Sequence, residues 1–144
     1  MEIKGEWQFC EDGIIRPVMR GRFQSAGGGW IGAELLIDTG ADRTVLSADV
    51  LQKLGADLLE AEEGISGLGG VTDAVVIQTK LQLFRETGAP ITFHGHFTAV
   101  TDPTALDLSV LGRDILDLFA LIVDRPGNIV CLLSQRHRYE IIQE

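Results

Sequence analysis

An all-β fold carrying one or two short helices is the class this sequence predicts, on two observations. Glycine is abundant, 17 residues in a chain of 144, and a count that high favours a turn-rich β architecture over a helical one. The apolar residues fall into short runs, some with two-residue alternation, and glycine-containing turns separate those runs. No internal repeat, low-complexity tract or interdomain linker interrupts the pattern. The length fits one domain, residues 1–144, long enough to bury roughly two-thirds of its unfolded surface.

Each element follows from local signals. Ile14 to Gln24 reads as a strand, with Pro17 indicating an edge or an irregular start. Ser25-Ala26-Gly27-Gly28-Gly29 is a flexible turn, and Trp30 to Ile37 is the returning strand. Ser47 to Gly55 reads as a short helix, with Ser47 at its N-cap and Gly55 ending it. Val71 to Phe84 alternates through Val71, Val75, Ile77, Leu81 and Leu83. Arg85 to Pro90 makes a turn and Ile91 to Val100 another strand. A second short helix starts near Gly112 and runs through Ile115, Leu116 and Phe119. Leu121 to Asp124 and Ile129 to Leu133 form a hairpin about the turn Arg125-Pro126-Gly127-Asn128, and Gln135 to Glu144 takes no assignment.

Charge narrows the partners. Acidic residues outnumber basic ones, 21 to 12, for a formal charge of -9. That sign repels phosphate backbones, so nucleic acid is not an expected partner. The longest apolar run, Phe119 to Val123, is too short to cross a bilayer, so no membrane partner is expected either. The first residues, MEIKGEWQFCEDG, hold no basic cluster followed by an apolar stretch, so no signal peptide is expected. The expectation is a cytoplasmic protein with Cys10 and Cys131 as reduced thiols, a terminal disulfide or redox switch being the alternatives.

The chemistry begins where the second strand ends. Leu35-Leu36-Ile37-Asp38-Thr39-Gly40-Ala41 places an apolar strand directly before Asp-Thr-Gly. A carboxylate there, followed by a glycine that lets the backbone turn sharply, is well placed for acid–base work. Alone, the tripeptide also reads as an ordinary turn in which Asp38 caps a loop. Its context points elsewhere. Asp38-Thr39-Gly40-Ala41-Asp42-Arg43-Thr44-Val45-Leu46 resembles the active-site segment of retroviral aspartic proteases. Leu108-Ser109-Val110-Leu111-Gly112-Arg113-Asp114 resembles that family's second signature, an apolar run ending in Gly-Arg-Asn or Gly-Arg-Asp before a short helix. Between them, Gly64-Ile65-Ser66-Gly67-Leu68-Gly69-Gly70 is similar to the glycine-rich flap that closes over substrate.

The resemblance implies a closed acid-protease-like β-barrel, the single-lobe retropepsin fold, with its core over about 14–133. Asp114 stands where viral members often have Asn, and the terminal hairpin and tail run longer than theirs. The hairpin and tail look closer to those of cellular and bacterial relatives. Met1 to Gly13 has no placed counterpart.

The implied function is an aspartic endopeptidase acting on an extended polypeptide through two carboxylates that share one proton. The sequence holds one Asp-Thr-Gly and no second such motif, so the second carboxylate is expected from Asp38 of another copy across a two-fold axis. By resemblance, Thr39 bonds across that axis, and Gly40 admits the substrate backbone. Asp42 accepts from the substrate main chain and pairs with Arg113 of its own subunit, a bidentate arrangement suited to guanidinium. Leu68 sits at the flap tip, with Gly67, Gly69 and Gly70 supplying the mobility closure requires, or the segment is an ordinary glycine turn between strands. Ala41, Val45 and Val110 line side-chain pockets or are plain core, and Arg113 and Asp114 give structural support or simply start a helix. No metal or cofactor is expected. His94 and His96 share one face of a strand, but zinc wants about four ligands, and solvent exposure is the simpler reading. Trp7 and Trp30 read as core or interface residues. The alternative function is a catalytically silent dimeric peptide-binding or dimerisation module with the same fold.

Overall fold

The structure, a computed structural model, describes residues 2–55, 58–67, 70–134 and 142–143, with the backbone alone over 58–67 and 70–72. Among the described residues, eleven strands and two short helices follow in the order β1 (Glu2–Lys4), β2 (Glu6–Phe9), β3 (Ile15–Gln24), β4 (Trp30–Ile37), β5 (Val45–Leu46), α1 (Ala48–Leu54), β6 (Leu58–Gly67), β7 (Gly70–Leu83), β8 (Ile91–Val100), β9 (Ser109–Leu111), α2 (Arg113–Leu116), β10 (Ala120–Asp124) and β11 (Ile129–Leu133). The class is all-β.

Eight strands form one sheet in the order β2-β3-β4-β9-β5-β8-β7-β6, and a further pairing of β3 with β7 closes it on itself. Closure happens at Gly21, Arg22 and Phe23, which pair with Leu83, Gln82 and Leu81 of β7 while also facing Ala33, Gly32 and Ile31 of β4. Glycine is needed at position 21, because a Cβ there would stand 2.8 Å from the Gln82 carbonyl oxygen. Alternation fills the interior: Val75, Ile77, Leu81 and Leu83 of β7 are buried, as are Ala33, Leu35 and Ile37 of β4. Phe23 and Phe97 meet edge to face at 5.6 Å in this core. The remaining strands make a separate three-stranded antiparallel sheet, β1-β11-β10, whose Ile3, Val130 and Leu132 join the same core.

Several expectations meet the structure closely. Ser47 caps α1 by accepting from the Val50 amide, and Gly55 closes the helix in the left-handed region at φ 58. Pro17 lies just before β3 begins to pair with β4 at Val18. Two expectations change. The second helix stops at Leu116 instead of reaching Phe119, because the Leu118 and Phe119 amides reach back only three residues, to Ile115 and Leu116. The unassigned N-terminus supplies β1 and β2, which pair with β11 and β3. Of the terminal segment 135–144, only 142–143 lie within the described residues.

Candidate active site

The parallel pairing of β4 with β9 matches Leu35, Leu36 and Ile37 with Ser109, Val110 and Leu111. Asp38 and Gly112 therefore leave the sheet side by side. The Asp38 amide continues the ladder by donating to the Leu111 carbonyl at 3.2 Å. The chain then turns tightly: the Asp38 carboxylate accepts from the Gly40 amide at 2.9 Å, and the Asp38 carbonyl accepts from the Ala41 amide at 3.2 Å. Two more bonds tie this loop to the start of α2, from the Arg113 amide to the Ala41 carbonyl (2.8 Å) and from the Asp114 amide to the Asp42 carbonyl (3.2 Å). Residue 112 must be glycine for this to happen, since a Cβ there would overlap the Arg43 backbone.

Side chains add to the backbone ties. The Asp114 carboxylate accepts from the Thr44 amide through both oxygens, from the Thr44 hydroxyl and from the Ile115 amide. The Arg113 guanidinium pairs with the Asp42 carboxylate through one nitrogen and one oxygen. That pair is largely exposed. The two side chains retain 48% and 79% of their accessibility.

Asp38 itself is half-buried, and Thr39 and Gly40 are exposed beside it. Val45, Val110 and Val100 form a small apolar cluster apart from the main core, with Ala41, Ala105 and Leu106 packed against it. Sequence reasoning named Ala41, Val45 and Val110, and missed Val100, Ala105 and Leu106. Gly67 pairs with Gly70 at the end of the β6–β7 ladder, while Leu68 and Gly69 lie outside the described residues. Thr44 was also missed. A threonine within the loop segment, with a carboxylate at the start of the facing helix, was the available signal.

The other singled-out residues lie elsewhere. His94 and His96 are exposed on β8, with Phe97 buried on the alternate face. Among the described residues no three His, Cys, Asp or Glu side chains gather as a metal site. Trp7 donates to the Asp124 and Ile129 carbonyls, and Arg22 lies over the Trp30 ring at 4.7 Å. Both cysteines are free thiols, and burial pushes the Cys131 thiol above its ordinary pKa. An open groove between β3, β4 and α1, lined by Arg20, Glu34, Asp49 and Asp107, does not include Asp38.

Comparison with known proteins matches residues 25–115 to a family model described as aspartyl protease. A retropepsin-like aspartic protease from Rickettsia conorii shares 20% identity, with 92% of this chain and 88% of that one covered at a TM-score of 0.54. The EIAV protease complexed with the inhibitor HBY-793 shares 24% identity, with 71% and 86% covered at a TM-score of 0.50. No curated protein matches the chain in sequence.

Proposed function

This chain belongs to the aspartyl protease family, and from that premise we propose that it is an endopeptidase assembled from two copies, with Asp38 of each forming the catalytic dyad. One observation carries the proposal: a complete Asp-Thr-Gly turn, with Asp38 held from both sides, occurs once per chain. Two carboxylates about 3 Å apart cannot both ionise, so one keeps a proton while the other acts as base. The ionised one takes a proton from a water held between them, and the resulting nucleophile attacks the scissile carbonyl. The protonated one donates to the carbonyl oxygen as charge develops there, and a proton later reaches the leaving amine. No metal, cofactor or covalent intermediate enters these steps.

The neighbouring residues take their roles from position. Thr39, exposed beside Asp38, links the two loops across the two-fold axis. Gly40 leaves room for the substrate backbone, and the exposed Asp42 carboxylate accepts from it. The Val45, Val100 and Val110 cluster with Ala41 receives apolar substrate side chains. Gly67, Leu68 and Gly69 close over the bound polypeptide.

The test compares wild type with Asp38→Asn on an unstructured polypeptide, with and without a statine-type inhibitor. Wild type is expected to cleave and to be suppressed by the inhibitor, while Asp38→Asn still dimerises and is inactive. Turnover at the wild-type rate by an Asp38→Asn preparation free of contaminating protease would refute the assignment. A folded wild-type dimer without inhibitor-sensitive turnover would point instead to a silent peptide-binding module.

A further inference from the structure

Thr44 is 1% exposed, and its hydroxyl is used in both directions. It donates to Asp114 Oδ1 at 2.7 Å and accepts from the Gly112 amide at 3.2 Å. Its own amide donates to the two Asp114 oxygens at 2.9 and 3.0 Å. The Gly112 N–H belongs to the same peptide unit as the Leu111 carbonyl, and that carbonyl accepts from the Asp38 amide at 3.2 Å. A peptide unit is planar and rigid, so its N–H and C=O turn together. The bond that Thr44 makes on one side of the 111–112 peptide therefore orients the acceptor that holds Asp38 on the other side.

We propose that Thr44 is a positioning residue: its hydroxyl, anchored by Asp114, sets the tilt of the Leu111–Gly112 peptide and through it the placement of Asp38. The inference rests on the reading of Asp38 as the catalytic carboxylate. Valine has nearly the shape of threonine but neither donates nor accepts, so Thr44→Val leaves the buried Gly112 amide without its acceptor. Rotation of the peptide towards another acceptor would then carry the Asp38 amide with it. Reacting groups misplaced by about 1 Å can cost on the order of 100-fold in rate.

The experiment compares wild type, Thr44→Val and Thr44→Ser as full-length dimers, reading kcat, KM, the fraction of folded dimer, and amide hydrogen exchange at Asp38 and Gly112. Thr44→Val is expected to lower kcat per folded dimer about 10- to 100-fold while KM moves less than about threefold. Thr44→Ser, which keeps the hydroxyl, is expected to restore most of the loss. Exchange at both amides should rise in Thr44→Val and not in Thr44→Ser. Wild-type kcat per folded dimer in Thr44→Val, or a serine variant as impaired as the valine one, would overturn the proposal. So would unchanged exchange at both amides. If Thr44→Val does not fold, wild-type exchange decides: protection at both amides supports the latch, and an unprotected Gly112 amide overturns it. The exchange measurement needs no turnover, so it separates failure of this proposal from failure of the catalytic reading, which would appear as wild type without Asp38-dependent cleavage.

Discussion

Arg113 and Asp114 are neighbours that hold the active-site loop by different means. The Asp114 carboxylate gathers donors from Thr44 and from its own helix start, whereas Arg113 meets Asp42 out in solvent. An exposed ion pair is worth about 0.2–1 kcal/mol, because water screens the attraction and two long side chains lose rotamer freedom. Arg113→Ala keeps the backbone bond from residue 113 to the Ala41 carbonyl. Urea unfolding of the single chain at low concentration is therefore expected to show a loss below about 1 kcal/mol. A loss of about 3–5 kcal/mol would contradict this and show that the pair is desolvated. The signature segments, through their resemblance, made Asp42 and Arg113 partners. They did not reveal the pair's exposure, which depends on which face of the loop meets water. Nor did they reveal the Thr44–Asp114 bond, which spans 70 positions in the chain.

At the scale of elements, the strands with clear patterning were the legible ones. Trp30–Ile37 and Ile91–Val100 coincide with β4 and β8, and β7 departs by one residue at each end from Val71–Phe84. The three- and four-residue strands β1 and β2 carry too few positions for a period to appear, and long-range pairing with β11 and β3 creates them. The hairpin joining β2 to β3 has its own local device. Asp12 accepts from both Arg16 terminal nitrogens, at 2.9 and 2.6 Å, and from the Ile14 amide at 3.0 Å. These bonds, the Arg16 guanidinium first, lower the Asp12 pKa from 3.8 to about 2. A lowered folded-state value means the ionised form is favoured in the folded chain. Its contribution is present above the ordinary carboxylate range and is lost as pH falls through about 2. An NMR titration of the Asp12 carboxyl is expected to give a midpoint near 2, with the Ile14 amide shift following it. A midpoint at the ordinary value would show that the hairpin tip is open.

At the scale of the whole molecule, two long-range pairings build the scaffold. The antiparallel β3–β7 contact closes the large sheet, and the parallel β4–β9 contact delivers Asp38 and Gly112 to one place. Neither pairing can be read from alternation, which reports the buried face of a strand but not its neighbour. The closed arrangement was foreseen only through the resemblance of the signature segments. The central claim, that two copies share one active site, follows from one Asp-Thr-Gly per chain and a mechanism that needs two carboxylates. Mixing wild type with Asp38→Asn tests it most directly, because a mixed dimer holds a single Asp38 and should be nearly inactive. With equal amounts co-refolded so that subunits exchange freely, random two-fold pairing leaves about half of the wild-type subunits in productive dimers. Activity per wild-type subunit is predicted to fall to about half at that ratio and towards zero as Asp38→Asn is added in excess. Constant activity per wild-type subunit at every ratio, with subunit exchange confirmed independently, would contradict the shared site.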